Sequence, residues 1–113
     1  MVQTVGPEPQ LLVDHATAPV TSGQAVLDMR GRYSLSLIVA GTFTGTVDFE
    51  ATIDGVFWGP LELRRLDAKN QVGTSATTQS AWTLDARIPM LAIRCTVATL
   101  SAGDVSVWAL RGA

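Results

Sequence analysis

Three carboxylates lie close together near the middle of the chain, within the segment Val47–Asp54. Asp48 and Glu50 alternate with apolar residues, which places both on one face of a predicted β-strand. Such a group could supply oxygen ligands to calcium or the two carboxylates of a glycoside hydrolase. No Asp-x-Asp-x-Asp-Gly loop occurs, however, and a solvated strand face needs no ligand. We therefore favour a polar outer face, on which Arg94 is a candidate ion-pair partner for Glu50.

The chain has one histidine, His15, and one cysteine, Cys95. Nucleophilic catalysis needs a nucleophile, a base and an orienting group, and no Ser or Cys has a sequence context that marks it for activation. His15 and Cys95 are separated by most of the chain, and their spacing matches none of the patterns of a zinc site. Cys95 lies in the apolar run Met90–Val97, which predicts a buried thiol. We expect no enzymatic activity, no metal site and no cofactor.

Glycines and tryptophans are the remaining candidates for chemistry. Gly41 and Gly45 bound a connector between two predicted strands, whereas phosphate-binding loops lead into a helix, so this segment predicts a turn. Trp82 shares the apolar face of its strand and is predicted to be core. Trp58 and Trp108 could anchor a subunit contact or stack on a sugar, and the sequence leaves both possibilities open.

The composition limits the possible classes of protein. The chain has 113 residues, which is typical of one domain, and only 16% of them are charged, against a globular average of about 25%. We therefore expect a partner to cover part of the surface. A net charge of -2, without a basic stripe, makes nucleic acid an unfavoured direct ligand. The N-terminus lacks a signal-peptide pattern and no apolar run reaches about 18 residues, so we expect synthesis in a host cytoplasm and no membrane span.

A repeat of two residues dominates the hydrophobic pattern. Tyr33–Val39 and Val47–Ile53 each alternate apolar and polar residues, and the short connector between them predicts that these two strands pair as a hairpin. About eight such strands occur at the spacing of roughly 8–12 residues that is typical of sandwiches and barrels. We predict an all-β fold: an antiparallel, eight-stranded β-sandwich that resembles a jelly roll.

Two segments are less regular than the predicted strands. Residues 1–23, rich in proline near the start, are predicted to form an extended N-terminal arm, and residues 24–113 the β-sandwich domain. Asp67–Ala76 is predicted to be the longest loop. From these segments and the ambiguous tryptophans we select seven candidate partner contacts: Leu11, Leu12, His15, Trp58, Lys69, Asn70 and Trp108.

The segment Val39–Trp58 resembles a pattern in small virion proteins of tailed bacteriophages. Gly41, Phe43, Gly45 and Thr46 match a glycine-bounded hairpin, and Glu50, Asp54, Gly55 and Trp58 match the turn that follows it. Ile93–Val107 resembles the closing hairpin of the same proteins, so the likeness covers about the last two-thirds of the chain. Ala51-Thr52 stands where a Gly-Ser pair is usual. The resemblance implies a jelly roll or related β-sandwich in a capsid decoration protein, or in a module of a tail or baseplate.

From this resemblance we expect a capsid decoration or cement protein. It would lie on the capsid surface of the virion and stabilise the expanded head by bridging major capsid subunits. The expected partners are the major capsid protein and copies of the chain itself, as a homotrimer. The alternatives are a structural component of a tail, baseplate or fibre, and a carbohydrate-binding module that uses Trp58 or Trp108.

Overall fold

A computed structural model describes residues 9–69, 71–84 and 89–112. These residues form eleven β-strands, which are β1 Gln10–Ala16, β2 Val26–Asp28, β3 Ser34–Ala40, β4 Phe43–Thr52, β5 Trp58–Pro60, β6 Leu63–Arg65, β7 Val72–Gly73, β8 Ser75–Ala76, β9 Ser80–Leu84, β10 Ala92–Gly103 and β11 Val105–Gly112. None of the described residues lies in a helix long and apolar enough to cross a membrane.

The strands form two antiparallel sheets. A six-stranded sheet has the order β1-β11-β3-β9-β6-β7, and a five-stranded sheet has the order β2-β10-β4-β5, with β8 also pairing with β4. The long strands β3, β4, β10 and β11 are divided between the two sheets, which share one core. The predicted all-β, antiparallel sandwich is therefore confirmed. The described residues contain more strands than the predicted eight, because the stretch from Trp58 to Ala76 folds into four short ones.

The core lies between the two sheets and follows from the alternation of the long strands. Leu35, Leu37 and Val39 of β3 point inward and are at most 1% exposed. Phe49 on one sheet packs edge-on against Trp82 on the other, with ring centroids 5.1 Å apart, so the prediction of Trp82 as core is confirmed. The Trp82 indole N–H donates to Ser80 Oγ at 2.7 Å. Each large apolar side chain buried here contributes about 1.5–3 kcal/mol.

Cys95 is also part of this core. Its thiol is buried, and desolvation raises its pKa to about 12. A thiol with such a pKa stays protonated and unreactive at neutral pH. The expected buried cysteine is confirmed.

The predicted hairpin between β3 and β4 is wrong, because the chain crosses between sheets at that point. β3 pairs with β9 and β11, and β4 pairs with β5, β8 and β10. β10 and β11 likewise lie in different sheets, and Asp104 connects them across the sandwich. The two corners pack together so closely that a Cβ at Gly41 would lie 2.5 Å from the Asp104 carbonyl oxygen. Gly41 also has a φ of 113°, so glycine is required there for two reasons.

The predicted N-terminal arm is corrected for its described part. Residues 10–16 form β1, which pairs with β11, and Leu12 and Val13 belong to the core. Val20 then exchanges two backbone hydrogen bonds with Val97, at 2.9 and 3.0 Å. The described part of the arm is thus a portion of the sandwich, because its apolar residues fill the gap between the sheets. Residues 1–8 lie outside the described residues.

The predicted loop 67–76 is shorter than expected. Its second half forms β7 and β8, where Ala76 is 3% exposed and the carbonyl of Thr74 accepts a hydrogen bond from the Phe49 N–H at 2.9 Å. Small residues in this stretch are compatible with two short strands as well as with a loop. Composition alone therefore did not distinguish the two structures. Asn70 lies outside the described residues.

Candidate interaction surfaces

The outer face of the six-stranded sheet carries a line of apolar side chains that crosses four strands and ends at the residue after β6. Cross-strand register aligns Leu11 with Trp108, Trp108 with Ile38, and Ile38 with Ala81. The N–H of Leu66 then donates to the Ala81 carbonyl at 2.8 Å, which extends the line past β6. We call this line the apolar row, and its members in order across the sheet are Leu11, Trp108, Ile38, Ala81 and Leu66.

The apolar row is largely open to solvent. Leu66 is 60% exposed, Ile38 52% and Trp108 43%. With Leu110 and Pro9 these side chains line a shallow depression of about 390 Å³ that contains almost no polar surface. A contiguous exposed apolar patch is a candidate contact site for another macromolecule.

A second apolar surface lies in the loop between β4 and β5. Ile53, Val56 and Phe57 are 81%, 84% and 75% exposed, which makes them the most exposed large apolar residues described. We call residues 53–57 the apolar loop. Its sequence is Ile53-Asp54-Gly55-Val56-Phe57.

Hydrogen bonds to Asp54 and Thr52 hold the apolar loop in one conformation. Asp54 Oδ1 accepts from the backbone N–H groups of Val56 and Phe57, both at 2.8 Å, and Thr52 Oγ1 accepts from the Gly55 N–H at 2.9 Å. These backbone donors also lower the pKa of Asp54. Because the backbone is already ordered, binding a partner here costs less conformational entropy.

An apolar cleft adjoins this loop. Its volume is about 590 Å³, within the range of pockets that hold small ligands or a partner's side chains. Ile53, Phe57, Leu61, Val72 and Met90 are among its lining residues. The lining also includes the charged residues Glu62 and Arg64, so the cleft is mostly apolar with a charged part.

The outer face of the five-stranded sheet is polar. Arg94 Nε donates to Glu50 Oε1 at 2.8 Å, so the predicted ion pair is confirmed. Thr96 Oγ1 donates to the same oxygen at 2.9 Å, and Gln24 Nε2 donates to Thr96 Oγ1 at 2.9 Å. We call these residues, together with Trp58, the polar network. Its charged groups use one another as partners.

Trp58 belongs to the polar network through a cation–π contact. The Arg94 guanidinium lies 4.2 Å from the centre of the Trp58 ring. A cation stacked at this distance covers one face of the indole and stabilises its position. A sugar would therefore find only the other face of Trp58, which weakens the case for a carbohydrate-binding platform at this residue.

The predicted acidic face exists, but its carboxylates serve different local roles. Glu50 is paired with Arg94, and Asp54 accepts hydrogen bonds from backbone N–H groups of the apolar loop. Burial, together with the nearby Glu50 charge, raises the pKa of Asp48. Within residues 9–69, 71–84 and 89–112, no group of three or more His, Cys, Asp or Glu side chains is placed to hold a metal ion.

The seven predicted contact residues do not form one surface. Trp108 and Leu11 lie in the apolar row, but Leu12 is 7% exposed and belongs to the core, so it was wrongly selected as a contact. The register of β1 against β11 shifts between Leu11 and Val13, so the buried residues of β1 do not alternate regularly along the sequence.

The other predicted contacts lie apart. His15 is exposed near one end of β1, with a φ of 48°, and its Nδ1 lies 2.8 Å from Asp14 Oδ1, which raises the pKa of His15. Lys69 is exposed in the segment beyond β6, and Trp58 is in the polar network. Asn70 is outside the described part of the chain.

Sequence reasoning missed the most exposed apolar residues. Ile38 follows Ser34 and Ser36 on the outward side of β3, and Leu110 shares the outward side of β11 with Trp108. An apolar residue at an outward position interrupts the expected alternation, and this signal could have revealed the apolar row. Ile53 was included in the predicted strand Val47–Ile53, so its position in a loop was not recognised.

Comparison with known proteins adds a fold relationship. No protein-family model and no curated protein matches the sequence. The structure is similar to the crystal structure of SPBc2 prophage-derived protein YomS, with a TM-score of 0.79 over 99% of both chains. The two sequences are 16% identical, so this likeness shows a shared fold.

Proposed function

We propose that this chain is a structural protein of a tailed-phage virion that decorates the capsid and stabilises its expanded shell. The observation that carries the proposal is the presence of two separate apolar surfaces, the apolar row and the apolar loop with its cleft, on one small domain. A protein that bridges subunits needs more than one contact surface. The fold shared with a prophage-derived protein supports the viral setting.

The stabilisation would be thermodynamic and needs no catalytic step. A protein that binds the expanded shell and not its precursor stabilises the expanded state by RT ln(1 + [L]/Kd) at each site, which is about 2.7 kcal/mol when the free concentration is 100 times Kd. Because a shell repeats the same site many times, modest affinity at each one is sufficient.

The apolar loop and its cleft are the proposed shell-facing surface. Val56 and Phe57 project from a loop whose backbone is already ordered by Asp54, so they suit insertion into an apolar depression on a capsid subunit. Anchors of this type, held rigid before binding, commonly dominate the energy of an interface.

The direct test adds purified protein to expanded, empty phage shells and measures bound copies and the temperature of shell disruption. We expect binding at a fixed stoichiometry and a higher disruption temperature. Phe57→Asp should reduce binding by about tenfold or more, because it places a charge in an apolar contact. Val26→Asp, at a residue that is 54% exposed on the five-stranded sheet, is the matched control and should bind normally.

Two results would contradict the decoration role. One is failure of the folded protein to bind shells. The other is copurification with tails or baseplates, which would favour the alternative structural role in those assemblies.

A further inference from the structure

We propose that the outer face of the six-stranded sheet pairs with the same face of a second copy of this chain. The two copies would be related by a two-fold axis that runs parallel to the strands and passes next to Ile38. This two-fold pairing differs from the homotrimer expected from the sequence. The inference goes beyond the proposed virion role, because two copies can pair in this way whether or not they then bind a shell.

The order of side chains in the apolar row supports this symmetry. Ile38 lies on β3, the middle strand of the five that run across the sheet from β1 to β6. A two-fold axis there reverses the row on the opposing copy, so that Ile38 faces its equivalent and Leu11 faces Leu66. Trp108 then faces Ala81, which places the largest side chain of the row against the smallest. This alternation of large and small residues is what two interdigitating sheet faces require.

The charges at the two ends of the row are opposite in sign. At the β1 end, the carboxylates of Asp14 and Asp104 both act on His15. At the β6 end, residues 64–69 contain three cations, Arg64, Arg65 and Lys69, and one carboxylate, Asp67, which is paired with Arg65. The proposed axis brings the β1 end of one copy against the β6 end of the other, so opposite charges meet at both ends of the interface.

The directions of the strands determine on which side of the apolar row these charges lie. Four antiparallel pairings separate β1 from β6, so the two strands run in the same direction. Asp14 lies three residues beyond Leu11 in β1. Lys69 lies in the turn that joins β6 to β7, where the Arg65 N–H donates to the Gln71 carbonyl at 2.8 Å. This turn follows the C-terminal end of β6, so Lys69 and Asp14 lie on the same side of the apolar row. An axis parallel to the strands keeps both residues on that side and brings the turn that contains Lys69 of each copy toward the Asp14 end of the other.

The size of the face is close to that of a specific dimer interface. The five strands contain 30 residues, and at about 4.8 by 3.3 Å per residue they give a footprint of about 475 Å² on each copy. Two copies would bury about 950 Å² before side-chain relief is counted, and this relief adds to the flat footprint, so the total is close to the roughly 1,000 Å² expected of a biological interface.

The proposed axis also places the same end of each sandwich on the same side of the dimer. β4 runs back from the Gly41 corner, so the apolar loop lies at the opposite end of the sandwich from Asp14 and Lys69. Both apolar loops of a dimer would thus point in one direction, as bridging two shell subunits requires. This last consequence, unlike the pairing itself, rests on the proposed function.

The first test is sedimentation equilibrium of the full chain, without shells, at concentrations up to about 100 μM, well above the micromolar Kd at the weak end of the range for stable interfaces. We expect a dimer. Ile38→Lys should raise the dimer dissociation constant by about 100-fold or more while the protein still melts cooperatively, and Val26→Lys on the other sheet should leave it unchanged. A monomer, a trimer, or a dimer that tolerates Ile38→Lys would overturn the proposal.

A charge-reversal experiment tests the symmetry without altering the apolar row. Lys69→Glu and Asp14→Lys should each weaken the homodimer, since each variant places like charges together at both ends. An equimolar mixture of the two should recover dimers. One end of the mixed dimer pairs the introduced glutamate with the introduced lysine, and the other end keeps Asp14 opposite Lys69. Failure of the mixture to associate better than either variant alone would exclude the proposed axis.

This pair of measurements separates the two proposals. A dimer that does not bind shells would leave the pairing intact and remove the decoration role. A monomer that binds shells through the apolar loop would do the reverse.

Discussion

The two outer faces of the sandwich satisfy their side chains in different ways. On the five-stranded sheet, Glu50, Arg94 and Thr96 are partners of one another, and the Arg94 guanidinium covers a face of Trp58. On the six-stranded sheet, the apolar row leaves Ile38, Trp108 and Leu66 in contact with solvent. The first face is complete within one chain, whereas the second gains free energy only when another surface covers it. Mutations on the polar face should therefore change stability, and mutations on the apolar face should change association.

The largest effect is expected from Glu50→Ala. The Glu50 and Arg94 side chains are only 25% and 23% exposed, so removal of the carboxylate leaves a partly buried guanidinium and a Thr96 hydroxyl without their acceptor. We expect the free energy of unfolding to fall by about 2 kcal/mol in urea denaturation. A fall that is no greater for Glu50→Ala than for Glu62→Ala, at an exposed carboxylate, would show that the polar network contributes little.

A smaller effect is expected from Trp58→Leu, which removes the ring beneath Arg94. Loss of this cation–π contact should cost about 1 kcal/mol in the same measurement. Trp108→Leu is the matched control on the apolar face, and its unfolding free energy should change by less than about 0.5 kcal/mol when measured at a concentration where the protein is monomeric. Equal losses at the two tryptophans would contradict the distinction between the faces.

The smallest effect concerns Asp48 and depends on pH. Its folded-state pKa is raised above 3.8, so the folded state binds this proton more tightly than the unfolded state. Ionised Asp48 therefore costs stability at pH 7, and that cost disappears as the pH falls through the raised pKa and then through 3.8. Asp48→Asn should stabilise the protein by a few tenths of a kcal/mol at pH 7 and by less at pH 3, relative to the parent chain at each pH. Thermal unfolding that shows no gain at pH 7 would argue against this assignment.

Much of the local structure could be predicted from the residues alone. Alternation in β3 and β4 identified their inward faces, and Trp82 and Cys95 were correctly assigned to the core. The Glu50–Arg94 pair was also found, because both residues lie at polar positions of their strands. These features depend on a repeat of two residues, which any extended chain with one buried face must show.

The pairing of strands could not be predicted in the same way. A two-residue connector suits a hairpin, yet Gly41 and Thr42 turn the chain from one sheet to the other. The packing of Gly41 against Asp104, more than sixty residues away, decides between these outcomes. The position of β1 was likewise missed, because its bulged register hides the alternation that would mark Leu12 and Val13 as core.

The amino-acid sequence by itself determined that this chain is all-β, which side of each long strand is buried, and that its charged residues are few. Only the tertiary structure decided that Leu11, Trp108, Ile38 and Ala81, from four strands, and Leu66, which follows β6, lie in one row. Alternation is a property of neighbours along the chain, whereas a row across a sheet depends on the register of strands that are distant in sequence. The surface on which the proposed assembly depends is therefore a product of strand order and register.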